Sequence, residues 1–190
     1  MKVSIPSASE TITDENFFTN TTWFTFFQSV WRAIRGDLGL SLGGMLSVNT
    51  TFVSNSLAAE TDLITYSLPQ NTLTNNGDVL EIDAWGVYAA NANNKTVKLY
   101  FGSQTLFTTG AIAANDGTWS LKAKIIRKTD TTQEIVSEIL SSNGGVSDSA
   151  TRTAGTQNLT TALTIRCTGQ GASSSDITQY ALKINLTPNT

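Results

Sequence analysis

The chain has 190 residues, of which only 14% are charged, and its formal net charge is -3. This acidic balance argues against broad nucleic-acid binding, which requires a basic stripe. The absence of histidine excludes Ser-His-Asp catalysis and histidine zinc sites. The single cysteine, Cys167, excludes an intramolecular disulfide and is expected to be a small buried hydrophobe in a strand.

The beginning of the chain carries no recognisable targeting signal. Residues 1–16 lack the apolar core of a signal peptide. No run approaches the roughly 20 apolar residues of a membrane span. We therefore expect a protein that is made and kept in a cytoplasm unless it leaves as part of a larger particle, with no membrane partner.

An aromatic helix is predicted over residues 13–36. Capping and acidic residues begin it at Thr13, and Gly36 offers the left-handed position that ends helices. The apolar side chains between them recur at helical spacing and form one seam. These residues, which we expect to serve oligomerisation or anchoring, are Trp23, Phe24, Phe27, Val30, Trp31 and Ile34.

This seam is too large and too apolar to face water without a partner. Three arrangements would cover it: packing on the chain's own domain, a homo-oligomeric helical bundle, or insertion into a larger complex. A membrane-surface helix is disfavoured because basic residues occur only near the end of the segment.

A linker or first turn is predicted for the glycine-rich residues 37–48. We therefore divide the chain into an arm and helix over residues 1–45 and a β-domain over residues 46–190.

Beyond the linker, apolar residues alternate with polar ones, as in half-buried strands. Residues 131–142 also fit a helix, but their β-branched neighbours favour a strand. The predicted strands are 61–68, 78–89, 95–102, 118–129, 131–142, 159–170 and 177–188. With about eight strands and frequent turns, the pattern is typical of a sandwich or barrel, and uneven loops favour a jelly-roll-like antiparallel β-sandwich.

The hairpin within residues 60–130 resembles a module of tailed-bacteriophage virion proteins, which include head fibres, decoration proteins and tail-fibre tips. The aromatic segment 23–34 is similar to N-terminal segments of such proteins. The matching hairpin positions are Leu68, Pro69, Asn71, Leu73, Asn76, Gly77, Asp78, Trp85, Gly86, Ala90, Asn91, Lys95, Val97, Leu99, Phe101 and Gly102.

The resemblance implies a non-enzymatic structural component of a phage virion, assembled in the bacterial cytoplasm as a homotrimer. It implies contacts with other virion proteins of the capsid, portal, neck or tail. The alternative is a receptor- or carbohydrate-binding tip that recognises a glycan of the host surface. In that case loops 89–96 and 170–176 would make the contact.

The residues of the hairpin itself are expected to have structural roles. Asp78 is expected to cap a turn after Asn76 and Gly77, and Phe101 belongs to an alternating strand. Gly86 and Gly102 are expected to permit bulges or reversals, while Trp85 would be a large anchor in the core or at an interface.

No catalytic, cofactor or metal site is predicted, and no enzyme. Glu81 and Asp83 share one strand face, where paired carboxylates could serve acid–base chemistry, but solvated strand acids are the better interpretation. Four aromatics could form a sugar platform, although single aromatics in strands more often belong to the core. They are Tyr66, Tyr88, Tyr100 and Trp119.

Overall fold

The computed structural model of the protein describes residue 27 and residues 43–56, 58–142 and 149–189. The chain divides into two compact units, Met1–Leu42 and Gly43–Thr190, and the described residues other than Phe27 belong to the second. The predicted helix therefore lies outside the described residues except for Phe27, whose side chain is exposed. Its role in oligomerisation or anchoring stays a prediction.

Eleven antiparallel strands make up the described part of the second unit. They are β1 (Gly44–Asn49), β2 (Val53–Ser54), β3 (Thr61–Leu68), β4 (Val79–Tyr88), β5 (Lys95–Phe101), β6 (Gln104–Thr108), β7 (Gly117–Thr129), β8 (Thr132–Ser141), β9 (Ser149–Gly155), β10 (Leu163–Gly171) and β11 (Ile177–Thr187).

All seven strands predicted from alternation are present, and residues 131–142 form a strand rather than a helix. The linker prediction is wrong over its last residues, because β1 begins at Gly44 and pairs with β11. β2 and β6 are short, and β9 is almost wholly exposed. A strand without a buried face has no apolar alternation by which to recognise it.

The strands form two sheets that pack as a sandwich. The larger sheet has seven strands in the order β1-β11-β4-β7-β8-β9, with β2 also paired to β11, and the smaller has the order β3-β10-β5-β6. The chain passes repeatedly from one sheet to the other, so both contribute to a single hydrophobic core.

Alternation decides which side chains enter this core. In β4, Leu80, Ile82 and Ala84 point inward and are buried. Trp85 occupies the opposite face and is 40% exposed. Of the two predicted positions for its anchor role, the core is therefore wrong, and the interface stays a prediction. The buried tryptophan is Trp119 of β7, only 1% exposed.

The absence of a side chain at Gly86 allows the Trp119 ring to pack against the backbone there. A Cβ atom at Gly86 would lie 2.0 Å from the Thr178 carbonyl oxygen and 2.6 Å from the Trp119 ring. Opposite Gly86, the register of β11 shifts between Gln179 and Ala181, which is a β-bulge. The glycine thus lies opposite a bulge, and its missing side chain leaves room for the indole.

Cys167 is fully buried in β10 and is a free cysteine, as predicted. Burial raises the pKa of its thiol to about 12, while a hydrogen bond with Gln179 acts in the opposite direction. The thiol is therefore protonated at neutral pH and serves as a packing residue.

Candidate functional site

The turn before β4 is closed by Asp78. Its buried carboxylate accepts hydrogen bonds from the backbone amides of Thr74 and Asn75, both at 2.8 Å, and from the Asn189 amide at 2.8 Å. Gly77 has a φ of +96°, a conformation that favours glycine. This carboxylate ties the NGD turn to the C-terminal segment and has a structural role.

The other hairpin positions are structural as well. Asn76 accepts a hydrogen bond from Arg127 at 2.5 Å, and the Phe101 side chain is fully buried. Gly102 reverses the chain between β5 and β6 with a φ of +59°. Each of these residues therefore has a structural part in the hairpin.

Lys95 organises one end of the sandwich. Although it is a lysine, it is fully buried at the start of β5. Its ammonium donates to the Asn91 carbonyl at 3.0 Å, the Asn91 side-chain oxygen at 2.8 Å, the Asn93 carbonyl at 3.1 Å and the Ala114 carbonyl at 2.7 Å. The charge is satisfied by oxygen atoms of two loops, which it joins.

A third loop is joined by Asp176, which is also buried. Its carboxylate accepts from the side-chain amide of Asn91 at 2.8 Å, that of Asn93 at 3.1 Å and the Ser173 backbone amide at 2.8 Å. Burial alone would raise the pKa of Asp176, but these hydrogen bonds and nearby Lys95 lower it. The predicted host-contact loops, 89–96 and 170–176, therefore lie against each other as one polar cluster.

The solvent-facing side of the four-stranded sheet carries a network of ion pairs and hydrogen bonds whose partners all belong to this side. Glu60 accepts from Lys98 at 2.5 Å, the Tyr100 hydroxyl at 2.7 Å and Thr168 at 2.7 Å. Burial would raise the pKa of Glu60, but these hydrogen bonds outweigh it and lower the pKa to about 2. The Arg166 guanidinium lies 4.5 Å above the Tyr100 ring.

The proposed aromatic platform is absent from this arrangement. Tyr88 and Trp119 are core residues, 2% and 1% exposed. The ring of Tyr100 is covered by Arg166. The four aromatics named from the sequence are therefore not gathered on one surface.

Exposed apolar side chains are concentrated on the seven-stranded sheet. Within residues 43–56, 58–142 and 149–189, every large hydrophobic residue that is exposed belongs to this sheet or to the loop that joins β1 and β2. These residues are Met45, Val48, Phe52, Trp85, Ile126, Val136, Leu140 and Tyr180. We call the outward side of this sheet the outer face.

Strand pairing arranges the outer face in rows that cross the sheet. One row runs Val48, Lys183, Asp83, Lys122, Glu138 from β1 to β8. The next runs Met45, Asn185, Glu81, Lys124, Val136, and a third contains Val79, Ile126 and Glu134. Trp85 and Leu140 flank Ser120 in a further row, with Tyr180 of the bulge beside them.

The two acids that were candidates for acid–base chemistry are in ion pairs on this face. Glu81 pairs with Lys124 at 3.1 Å and Asp83 with Lys183 at 3.4 Å. The hydrogen bond from Lys124 lowers the pKa of Glu81 despite partial burial. Both carboxylates are thus partners in ion pairs that cross the strands, an arrangement that suits a ladder of charges on a surface.

A shallow groove of about 620 Å³ opens at one end of the outer face. Trp85, Leu140 and Tyr180 line it, and none of its lining residues in the described part of the chain is charged. Beside it, the Phe52 and Tyr180 rings meet edge to face with centroids 6.4 Å apart. The sequence interpretation did not single out Phe52, Leu140 or Tyr180.

The described residues contain no group of three or more His, Cys, Asp or Glu side chains placed to hold a metal ion. Within the same residues, no helix has the length and apolar character needed to cross a membrane.

No protein-family model and no curated protein sequence matches this chain. Among solved structures, it is similar to the CBM2 module of the evolved Dit protein of Lactobacillus casei BL23 phage J-1. The alignment has 8% identity and a TM-score of 0.41, and it covers 72% of this chain and 76% of that one. A similarity this distant carries no argument about function, which must come from the residues described above.

Proposed function

We propose that this protein is a non-enzymatic structural component of a tailed-phage particle: a head fibre, a decoration protein or a tail accessory protein. It assembles with itself and with other virion proteins. The observation that carries the proposal is the outer face, because seven of the eight exposed large hydrophobic residues in the described part of the second unit lie on this sheet and the eighth, Phe52, lies in the loop beside it. Exposed apolar side chains concentrated on one face, with Trp and Tyr among them, are typical of surfaces that contact another protein.

The strand order supports the jelly-roll form of the sandwich. The sets β1-β11-β4-β7 and β3-β10-β5-β6 are two four-stranded antiparallel sheets between which the chain alternates. β8 and β9 then extend the first set as an added hairpin. A double sheet that is lengthened at one edge by a hairpin is a stiff unit, suited to assembly into a larger particle.

The phage context comes from the sequence resemblance of residues 60–130. The positions that carry it form the rigid parts of the domain: the Asp78 turn, the Gly86 site, the Lys95 cluster and the Gly102 reversal. A homotrimer is the assembly that we propose, with the aromatic segment 23–34 forming a bundle or anchoring into the particle.

The solution mass tests this proposal. We would measure it for the full chain and for a chain that begins at Gly43, which keeps β1 whole. A full chain that is trimeric and loses its threefold association on truncation would support a helix-driven trimer. A trimer in both would place the threefold contact in the β-domain, and a monomer in both would contradict self-assembly.

Host-surface glycan binding is the second candidate function. It is favoured by the joined loops 89–96 and 170–176, because Lys95 and Asp176 preorganise an exposed polar rim. A glycan array probed with the full chain would test it. Binding that is lost when the exposed Asn94 is changed to Ala would support the loops as the site, and an array without hits would contradict this function.

A further inference from the structure

We propose that the outer face of the seven-stranded sheet binds the same face of a second copy of this chain. The two copies are related by a twofold axis that runs parallel to the strands, between β4 and β7. This inference rests on the proposed assembly function and names the partner and the surface. Its basis is the order of charged and apolar residues in the rows of the face.

The row through Asp83 is self-complementary. In the order β11, β4, β7, β8 it reads Lys183, Asp83, Lys122, Glu138, so its charges alternate. The twofold axis reverses the order of the same row in the second copy. Lys183 then faces Glu138 of the second copy, and Asp83 faces Lys122, so that every charge in the row meets its opposite.

The adjacent rows obey the same symmetry. Glu81 of β4 and Lys124 of β7 are cross-strand partners, so the axis sets Glu81 of one copy opposite Lys124 of the other. In the next row Val79 meets Ile126, an apolar pair. At the groove end, Tyr180 and Leu140 lie on opposite sides of the axis and come to face each other.

The dimensions suit such a contact. Packed sheets lie about 10 Å apart, a gap that a lysine and a carboxylate side chain span together. Lys122 and Glu138 are opposite each other on β7 and β8 but form no ion pair in the part of the chain that the structure describes. They retain charge for a partner, while burying Trp85, Leu140 and Tyr180 would supply apolar area.

Self-complementarity is what selects a second copy as the occupant. An isologous contact needs a surface that matches itself when it is turned over, whereas a different partner imposes no such order on the rows. The proposed function adds a threefold bundle of residues 23–34. A twofold contact would then join two trimers into an assembly of six chains.

Charge reversal on the full chain tests the proposal. The variant Lys124→Glu would set two glutamates opposite each other across the axis, and Glu81→Lys would set two lysines there. Each single variant should therefore halve the mass measured by sedimentation over a concentration series, from two chains to one or from six to three. The double variant E81K/K124E restores opposite charges within and between copies, and it should recover the mass.

The matched control is Asp62→Lys, which reverses one partner of the Asp62–Arg166 ion pair on the other sheet and should leave the mass unchanged. Circular dichroism and thermal unfolding would establish that each variant is folded. A mass of one or three chains that Lys124→Glu does not alter would overturn the twofold contact. A trimer whose mass Lys124→Glu leaves unchanged would contradict the twofold contact but still support the proposed assembly function. A monomer would contradict both.

Discussion

Lys95 shows how one buried side chain can fix an entire loop cluster. A buried ammonium is costly unless oxygen atoms surround it, and here two asparagines and Ala114 supply four acceptor atoms. Burial lowers the pKa of Lys95, whereas the nearby Asp176 carboxylate raises it. The ammonium thus holds the carbonyl groups of Asn91, Asn93 and Ala114 close together.

Replacing Lys95 by Met should destabilise the protein by about 3 kcal/mol, because the buried Ala114 carbonyl and the three half-buried acceptors of Asn91 and Asn93 would all lose their donor. The measurement is the denaturant midpoint of the full chain. Lys128→Met is the control, since Lys128 is exposed on β7 and should change the midpoint little. Equal effects in the two variants would contradict the role given to Lys95.

The ionisation of Glu60 should make the free energy of unfolding depend on pH. Its pKa is lowered from 4.5 to about 2 in the folded protein, so the unfolded chain takes up this proton first as the pH falls. The stabilisation from ionised Glu60 is therefore complete above about pH 4.5 and is lost progressively down to about pH 2.

The variant Glu60→Gln cannot titrate and should show a flatter decline in unfolding free energy over that range, although it starts from a lower value at neutral pH. Urea unfolding at a series of pH values measures this. A wild-type and variant pair with parallel curves between pH 4.5 and 2 would contradict the assignment.

At the scale of elements, alternation is informative only where a strand has one buried face. β4 and β5 alternate strictly in burial and were predicted within a residue or two. In β9, the first four residues, up to Arg152, are all exposed, and the strand is recognisable only through its pairing with β8. Likewise, nothing local in GMLSVN reveals that β11 provides its partner.

The outer face of β4 illustrates a second limit. Two opposite sets of alternating residues are visible in the sequence, and Trp85 in one of them fits either a core or an interface position. The face with Leu80 and Ile82 is the buried one, and Gly86 on this face leaves space for Trp119 from β7. That choice depends on a partner strand that begins only at Gly117, which local propensity cannot report.

Gly86→Ala tests this packing. The new methyl group would collide with the Thr178 carbonyl, a backbone atom that cannot turn aside, and with the Trp119 ring. We expect a loss of about 3 kcal/mol, at the upper end for overpacking. Gly169→Ala is the graded control, because its closest neighbour would be a side-chain carbon at 3.3 Å. A smaller loss at Gly86 than at Gly169 would contradict the argument.

At the scale of the molecule, the two sheets differ in what they offer to a partner. The smaller sheet bears the Glu60 and Arg166 interactions, which are satisfied internally. The larger sheet bears the exposed apolar residues and, within the described residues, charges such as Lys122 and Glu138 that form no ion pair. The sequence alone could predict a sandwich but not this difference, because it follows from which strands become neighbours.

The position of β1 leads to a prediction about where the folded domain begins. β11 lies between β1 and β4, and Leu46 of β1 packs against the core. A chain that begins at Gly43 keeps this strand and should unfold in one cooperative transition. A chain that begins at Thr51 lacks it, exposes the pairing edge of β11 from Leu182 to Leu186 and loses the packing of Leu46.

We therefore expect the shorter chain to be less stable by about 2 kcal/mol, from the lost side-chain burial alone, and to aggregate more readily. Denaturant unfolding and light scattering at matched concentration would compare the two chains. Equal stability would mean that β1 is dispensable and that the domain begins at β2 or β3. A large difference would make β1 an integral strand, so that the outer face includes Met45 and Val48.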